Sequence, residues 1–430
     1  MSIIFYHVFL WLYRTGIRLI APWNRKARLW LEGRKGLFDR VRTGMEELER
    51  RKPQAASGQI PLIWMHCASL GEFEQGRPVL EQLRRQSPDC RIVISFFSPS
   101  GYEIRKDYKG ADLILYLPLD SRSNARRLTD LLQPSLVLWV KYDYWYYYLL
   151  ELKKRNIPTL LISGVFRPDQ PFFRWYGRLH RYMLECFTHL FVQTEKSRQL
   201  LLRLGLSENV SVTGDTRFDR VIEIAEQAGT LPMIEAFCGQ YPVIVAGSTW
   251  EEDEEELDHY ANTHPGIRFI IAPHEIEEER LQEVEALFRR CIRYSQWEQG
   301  AAGPAPAPNV LIIDNIGLLS RLYKYATITY VGGGFGDDGV HNVLEAAVYG
   351  RPVVFGPVIE KYIEAVELTD SGGGIVIDSA LEAESVFNRL LDDRKEYEMI
   401  CTASREYVYS QRGATARITA YIQEKRLLTS

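Results

Sequence analysis

The sequence predicts an α/β protein built from two doubly wound, parallel-sheet units in tandem. Three observations carry this. Short apolar runs alternate with segments of 10–15 residues that have helical spacing. The alternation lapses once, between Ser207 and Tyr241, and then begins again. A length of 430 residues suits two or three domains. Runs that are apolar throughout, with no polar residue at every second position, mark strands buried on both faces under helices.

In order, the first series of strands is expected at 60–65, 91–97, 113–116, 136–140, 158–163 and 190–193. Helical spacing such as that of 77–83 separates them. A brief strand at 210–212 precedes the lapse. The second series is expected at 242–246, 268–272, 310–313, 327–331, 352–355 and 374–377. The domain boundary falls near 205–240, giving expected units 25–215 and 216–430. The insert 300–308, Gly-Ala-Ala-Gly-Pro-Ala-Pro-Ala-Pro, reads as a mobile surface loop.

Residues 1–24 are set apart by composition. The run 3–13 is apolar except for His7, and Arg14 and Arg18 then break the apolar character that otherwise extends to Trp23. Two arginines make a membrane-spanning helix marginal. From Arg14 to Arg42 there are nine Lys or Arg against Glu32 and Asp39. An apolar segment with a basic flank reads as an interfacial anchor on an anionic membrane surface. The competing reading is a core helix tucked into the first unit. No basic stretch precedes the run and no small-residue cleavage site comes after it, which argues against a secretory signal.

The net charge of −4 gives no reason to expect nucleic acid as a partner. Six scattered cysteines without a Cys-x-x-Cys pair fit reduced thiols rather than a disulfide framework or a zinc site. The sequence contains no Walker loop, no His-Glu-x-x-His and no Gly-x-Ser-x-Gly.

Five places offer chemistry, all just after expected strands, where ligands of open α/β sheets bind. In His66-Cys67-Ala68-Ser69-Leu70-Gly71-Glu72, Glu72 is either a general base or the far half of a Ser-x-x-Glu capping box on Ser69. Lys141-Tyr142-Asp143-Tyr144-Trp145 offers polar groups for substrate, with Asp143 as helix cap the alternative. In Gly214-Asp215-Thr216-Arg217-Phe218-Asp219, Arg217 either holds an anion or pairs with Asp215 or Asp219. Gly247-Ser248-Thr249 precedes an acidic run, 251–256, read as a solvated first helical turn rather than a metal site. The richest signal is Gly332-Gly333-Gly334-Phe335-Gly336 with His341-Asn342-Val343-Leu344-Glu345 shortly after it. Glycines there allow close backbone approach, and a helix start near Asn342 offers N–H groups to a phosphate.

These motifs, in this order, resemble those of the 3-deoxy-D-manno-octulosonic acid (Kdo) transferases of lipopolysaccharide assembly. The resemblance implies a GT-B fold, with two Rossmann-like domains facing across a cleft. It implies an inverting transfer of Kdo from CMP-Kdo to a tetra-acylated lipid A precursor, without a cofactor or a metal at the nucleotide. It implies work at the cytoplasmic face of the inner membrane. Carried over residue by residue, Glu72 is the general base, with Asp143 and Arg217 in the catalytic set. Ser69, Gly71 and Lys141 fall to the acceptor. Gly247, Ser248, Pro273, His274, Ile316, Gly317, Leu318, Asn342 and Glu345 fall to the CMP donor. The chain departs from the family pattern at Lys141 and Leu318, where glutamates are usual, at His274, where arginine is usual, and at Arg217, where many members have lysine. Other readings are a different GT-B sugar transferase, a nucleotide-sugar epimerase, or a non-catalytic nucleotide-sugar-binding scaffold.

Overall fold

The computed structural model describes residues 3–53, 60–141, 143–300, 307–337 and 339–428. The insert expected as a mobile loop lies, at residues 301–306, outside them. The chain forms two compact units: Met1–Asp219 joined by Gly413–Ser430, and Arg220–Arg412.

The first unit holds a seven-stranded sheet: β1 (Leu62–Cys67), β2 (Arg91–Phe96), β3 (Leu113–Tyr116), β4 (Leu136–Val140), β5 (Thr159–Gly164), β6 (His189–Val192) and β7 (Val210–Val212). Their order is β3-β2-β1-β4-β5-β6-β7, and every pairing is parallel. Strand order reverses between β1 and β4, so the loops after these two strands flank the switch-point crevice where ligands bind. Both faces are buried. Ile63, Met65 and Cys67 pack into one core with Ile94 and Leu138, while Trp64 points into the other with Val93 and Trp139. This two-sided burial is why the strands read as apolar runs.

The second unit repeats the plan with β8 (Val243–Thr249), β9 (Arg268–Pro273), β10 (Cys291–Arg293), β11 (Val310–Ile312), β12 (Ile328–Val331), β13 (Val353–Phe355) and β14 (Gly374–Val376). The order is β10-β11-β9-β8-β12-β13-β14, with the switch point between β8 and β12. All the expected strands are present within two or three residues at either end. The strand absent from the sequence reading is β10, three residues at the sheet edge beginning Cys-Ile-Arg. It is too short and too polar to show a period.

The expected division 25–215 and 216–430 differs from the observed one at both ends of the second unit. The first unit runs on to Asp219, and it reclaims the last eighteen residues. Asp219 accepts the N–H groups of Gly413 and Thr415, each at 2.6 Å, which starts the helix Ala414–Glu424. That helix seals the core beside β1 with Ile418 and Ile422, packed with Phe73 and Leu80 of the helix Leu70–Gln86. Amphipathic spacing alone could not say which sheet it would cover.

The apolar N-terminus is the helix Ile3–Ile20, long and apolar enough to cross a membrane. It has two unequal faces. Tyr6 and Leu10 are buried in the first unit's core, and the Tyr6 hydroxyl donates to Asp120 at 2.5 Å. Ile4, Phe5, Val8, Phe9, Trp11 and Leu12 are exposed, Phe5 by 65% and Trp11 by 64%. One face is thus part of the core, as the core-helix reading expects, and the other leaves apolar side chains exposed.

Candidate active site

In the first unit, β1 ends at Cys67 and the helix Leu70–Gln86 begins three residues later, with Ser69 as its cap residue. The Ser69 side chain makes no capping bond. Glu72, in the first turn, instead reaches back and accepts the Ala68 N–H, with further support from the Ser69 N–H. Half of the capping box is thus present, and it fixes the carboxylate at the strand end. Glu72 is 8% exposed. Burial pushes its carboxyl up to about 7, and the nearby charge of Asp143 adds to that. The Ala68 and Ser69 N–H groups and Lys141 oppose it. A carboxylate tuned to that range is suited to take a proton near neutral pH.

Above this turn the space is open. Gly71 is exposed, and a β-carbon built there would meet no atom within 4 Å.

After β4 the backbone turns sharply. Lys141 has φ +61°, an unfavourable setting for a residue with a side chain and one that concentrates at functional sites. With the Gln75 amide oxygen turned toward its donors, that oxygen accepts from Lys141 Nζ at 2.9 Å and Arg217 Nε at 3.3 Å. Arg217 also forms an ion pair with Asp215 at 2.8 Å, so of the two sequence readings for Arg217 the structure contains the ion pair. Asp143 is not a helix cap. The helix Tyr146–Lys154 is capped from a distance by Asp120, which accepts the N–H groups of Tyr147 at 2.9 Å and Tyr148 at 3.2 Å. Asp143 is left with one carboxylate oxygen unpaired, 3.8 Å from His66 Nε2. His66 is fully buried, with Nδ1 held by the Ser95 hydroxyl at 2.9 Å.

Glu72, Asp143, Lys141 and Arg217 thus gather at the first switch point, Glu72 coupled to Asp143 and Lys141 through charge, and Lys141 and Arg217 joined through Gln75. Gln75 and His66 lie beside them and do not stand out as site residues in the sequence. Gln75 lies inside the helix run, and His66 inside the strand run, where neither stands out from the core pattern. Ser163, at the end of β5 with φ +56°, is a further strained residue at a strand end.

In the second unit, the loops after β8 and β12 meet at the switch point. The Gly332 N–H donates to Gly247 O at 2.9 Å. Ser248 has φ +54°. Gly333 has φ +89°, and a β-carbon there would come within 2.5 Å of Gly339 O, so this turn requires glycine.

The support for these loops comes from the acidic run expected to be solvated. Glu251 and Glu252 are exposed, but Asp253 and Glu254 are buried. Asp253 accepts from Gly333 N at 2.7 Å, Tyr330 Oη at 2.7 Å and Trp250 N at 2.9 Å. Glu254 accepts from the Thr249 hydroxyl at 2.7 Å and pairs with Arg280. A first helical turn has free N–H groups around it, and here the loop glycine donates into the same carboxylate.

The donor residues assigned by resemblance gather on this side. Pro273 ends β9, and the His274 N–H donates to Thr249 O at 2.9 Å. The His274 ring stacks across both Trp250, centroids 4.6 Å apart, and His341, centroids 4.5 Å apart at 11°. Trp250 Nε1 donates to His341 Nε2 at 2.9 Å, so the two rings lie side by side. No sequence spacing links positions 250, 274 and 341.

Asn342 Nδ2 donates to Glu345 at 2.8 Å, and its Oδ1 accepts the Leu344 N–H at 3.3 Å. The helix there is a single turn, Leu344–Ala347, and Asn342 already takes one of the N–H groups expected for a phosphate. Ile316 is 89% exposed and Gly317 has φ +96°. Leu318 precedes the short helix Leu319–Leu322.

Residues 39–220 match the family described as 3-Deoxy-D-manno-octulosonic-acid transferase (kdotransferase). A 3-deoxy-D-manno-octulosonic acid transferase of Chlamydia trachomatis serovar A is 28% identical over 357 residues, covering 80% of this chain and 81% of that protein. The transferase of the same name from Aquifex aeolicus is 25% identical over 343 residues, covering 78% of this chain and 88% of that protein. Among solved structures, UDP-GlcNAc 2-epimerase from Neisseria meningitidis, bound to UDP-GlcNAc, superposes with a TM-score of 0.60 at 18% identity. The superposition covers 84% of this chain and all of that one, and it shows the GT-B-type fold. Its motifs, its matched domain and relatives that align over about four fifths of its length agree: this chain carries a Kdo-transferase domain at 39–220 and is similar to the Kdo transferases beyond it.

Proposed function

We propose that the protein transfers Kdo from CMP-Kdo to a hydroxyl group of a tetra-acylated lipid A precursor, at the cytoplasmic face of the inner membrane. Glu72 accepts the proton of the acceptor hydroxyl while that oxygen bonds to the anomeric carbon of Kdo. The bond from this carbon to the phosphate oxygen breaks, CMP leaves with the electron pair, and the configuration inverts. Lys141 and Asp143 set the proton affinity of the base from opposite directions. Ser69 and the open face above Gly71 admit the acceptor. The residues after β8, β9 and β12, with Ile316–Leu318, hold CMP. The charge on the leaving phosphate is met by loop N–H groups and cationic side chains, so chelation of divalent metal leaves turnover unchanged.

The observation that carries this reading is the buried Glu72 carboxyl, raised to about 7 at the mouth of the first switch point. The test is incubation of the full-length protein with CMP-Kdo, generated in situ, and a lipid A precursor, with mass spectrometry of the lipid. Wild type should add Kdo, and Glu72→Gln should bind CMP but turn over poorly. An unmodified lipid with wild type, or full turnover by the variant, overturns the reading.

A further inference from the structure

The helix Ile3–Ile20, the helix Arg25–Glu32 and the segment 118–124 enclose a cavity of about 790 Å³. It lies within the first unit and none of the assigned site residues line it. Five cationic side chains, Arg14, Arg18, Arg28, Arg34 and Lys35, share its wall with two acids, Glu32 and Asp120. Asp120 is already engaged by the Tyr6 hydroxyl and by the N–H groups of Tyr147 and Tyr148.

Arg34 is the unusual member. Its guanidinium lies 3.9 Å over the Trp30 ring and donates to three carbonyls: Trp30 at 3.0 Å, Phe97 at 2.8 Å and Leu117 at 2.9 Å. Among the described residues no carboxylate pairs with it. Burial depresses its pKa to about 9, and only tyrosines oppose that shift. A half-buried cation held by dipoles and rings, without a counter-charge, is stabilised by an anion brought from outside. Arg14, Arg18 and Lys35 have no ion-pair partner among the described residues either.

We propose that this cavity binds the phosphate group of a membrane lipid, with Arg34 at its inner wall and Arg14 and Arg18 at its rim. The occupant is a lipid rather than a free anion because apolar side chains lie beside the cations. Leu31, Leu37 and Phe38 line the same cavity. Leu19, Ile20 and Trp23, next in sequence to its lining residues Arg18, Ala21 and Pro22, are exposed, Trp23 by 86%. A phosphate in the pocket with chains along those residues would fix the height of the first unit on a bilayer. This inference stands independently of the transfer reaction.

The test is calorimetric titration of the full-length protein with monomeric dihexanoyl phosphatidic acid, dihexanoyl phosphatidylcholine and inorganic phosphate. The short phosphatidic acid should bind at one site, the other two far more weakly. The double variant Arg14→Gln/Arg18→Gln, at positions that leave the buried core of the helix untouched, should weaken binding by about tenfold or more. Arg34→Lys should weaken it too, because a point charge cannot reproduce the fork. Equal binding of inorganic phosphate overturns the lipid assignment. Equal binding of phosphatidylcholine, or binding unchanged in the double variant, overturns the phosphate site altogether.

Discussion

Asp143 raises the proton affinity of Glu72, and Lys141, two residues before Asp143, lowers it. Two residues after one strand therefore bracket a carboxylate after the neighbouring strand. The rate should rise with pH along a limb centred near 7, because the base works only when ionised. Asp143→Asn should move that limb to lower pH and Lys141→Met should move it higher. A pH profile of kcat/KM for the three proteins checks both directions.

Glu72→Gln should lower kcat by about 10²–10⁴-fold. The same change should stabilise the fold at pH 8. The folded carboxyl binds its proton more tightly than the unfolded one, so this group favours folding least above pH 7. Its stability contribution is lost as pH rises between the ordinary carboxylate value and about 7. The gain at pH 8 has an upper bound of about 3 kcal/mol. Thermal melts of both proteins at pH 5 and pH 8 should converge at the lower pH and separate at the higher.

Gly71→Ala should separate stability from activity. The position is helical, open and exposed, so alanine should stabilise by about 0.5–1 kcal/mol. If the acceptor crosses this turn, the added methyl should raise KM for the acceptor and leave CMP affinity alone. Steady-state kinetics with each substrate varied in turn reads the difference.

Asp253→Ala should unfold the second unit more easily and loosen CMP. It strands the Gly333 N–H, the Trp250 N–H and the Tyr330 hydroxyl in a buried setting. The expected loss is about 2–4 kcal/mol. Gly333→Ala, forced at φ +89° against Gly339 O, should cost about 1–3 kcal/mol. Melting and CMP titration measure both.

Deleting residues 1–22 should destabilise the first unit as well as release it from membranes, since Tyr6 and Leu10 are core residues. Phe5→Ser/Trp11→Ser changes only exposed positions. It should leave the melting temperature within a degree or two and reduce sedimentation with anionic vesicles by about tenfold or more.

Much of this molecule was legible from its letters, for physical reasons. Buried parallel strands are apolar on both faces, so every strand but β10 showed, and strand-end turns carry small and polar residues that mark the switch points. What escaped depended on partners distant in the chain. Asp120 caps a helix that starts 26 residues later. Asp253 and Glu254 look like surface acids until the glycine loop folds onto them. The stack of Trp250, His274 and His341 draws on three loops. Each is a tertiary choice that no local period encodes.

The return of helix Ala414–Glu424 to the first sheet has a consequence for biosynthesis. The ribosome delivers Ile418 and Ile422 only after the second unit, so β1 and its neighbours wait with one face incompletely covered while that unit is translated and can fold. A nascent chain halted before residue 413 should remain prone to proteolysis and chaperone capture in its earlier half, although that half contains all seven of its strands.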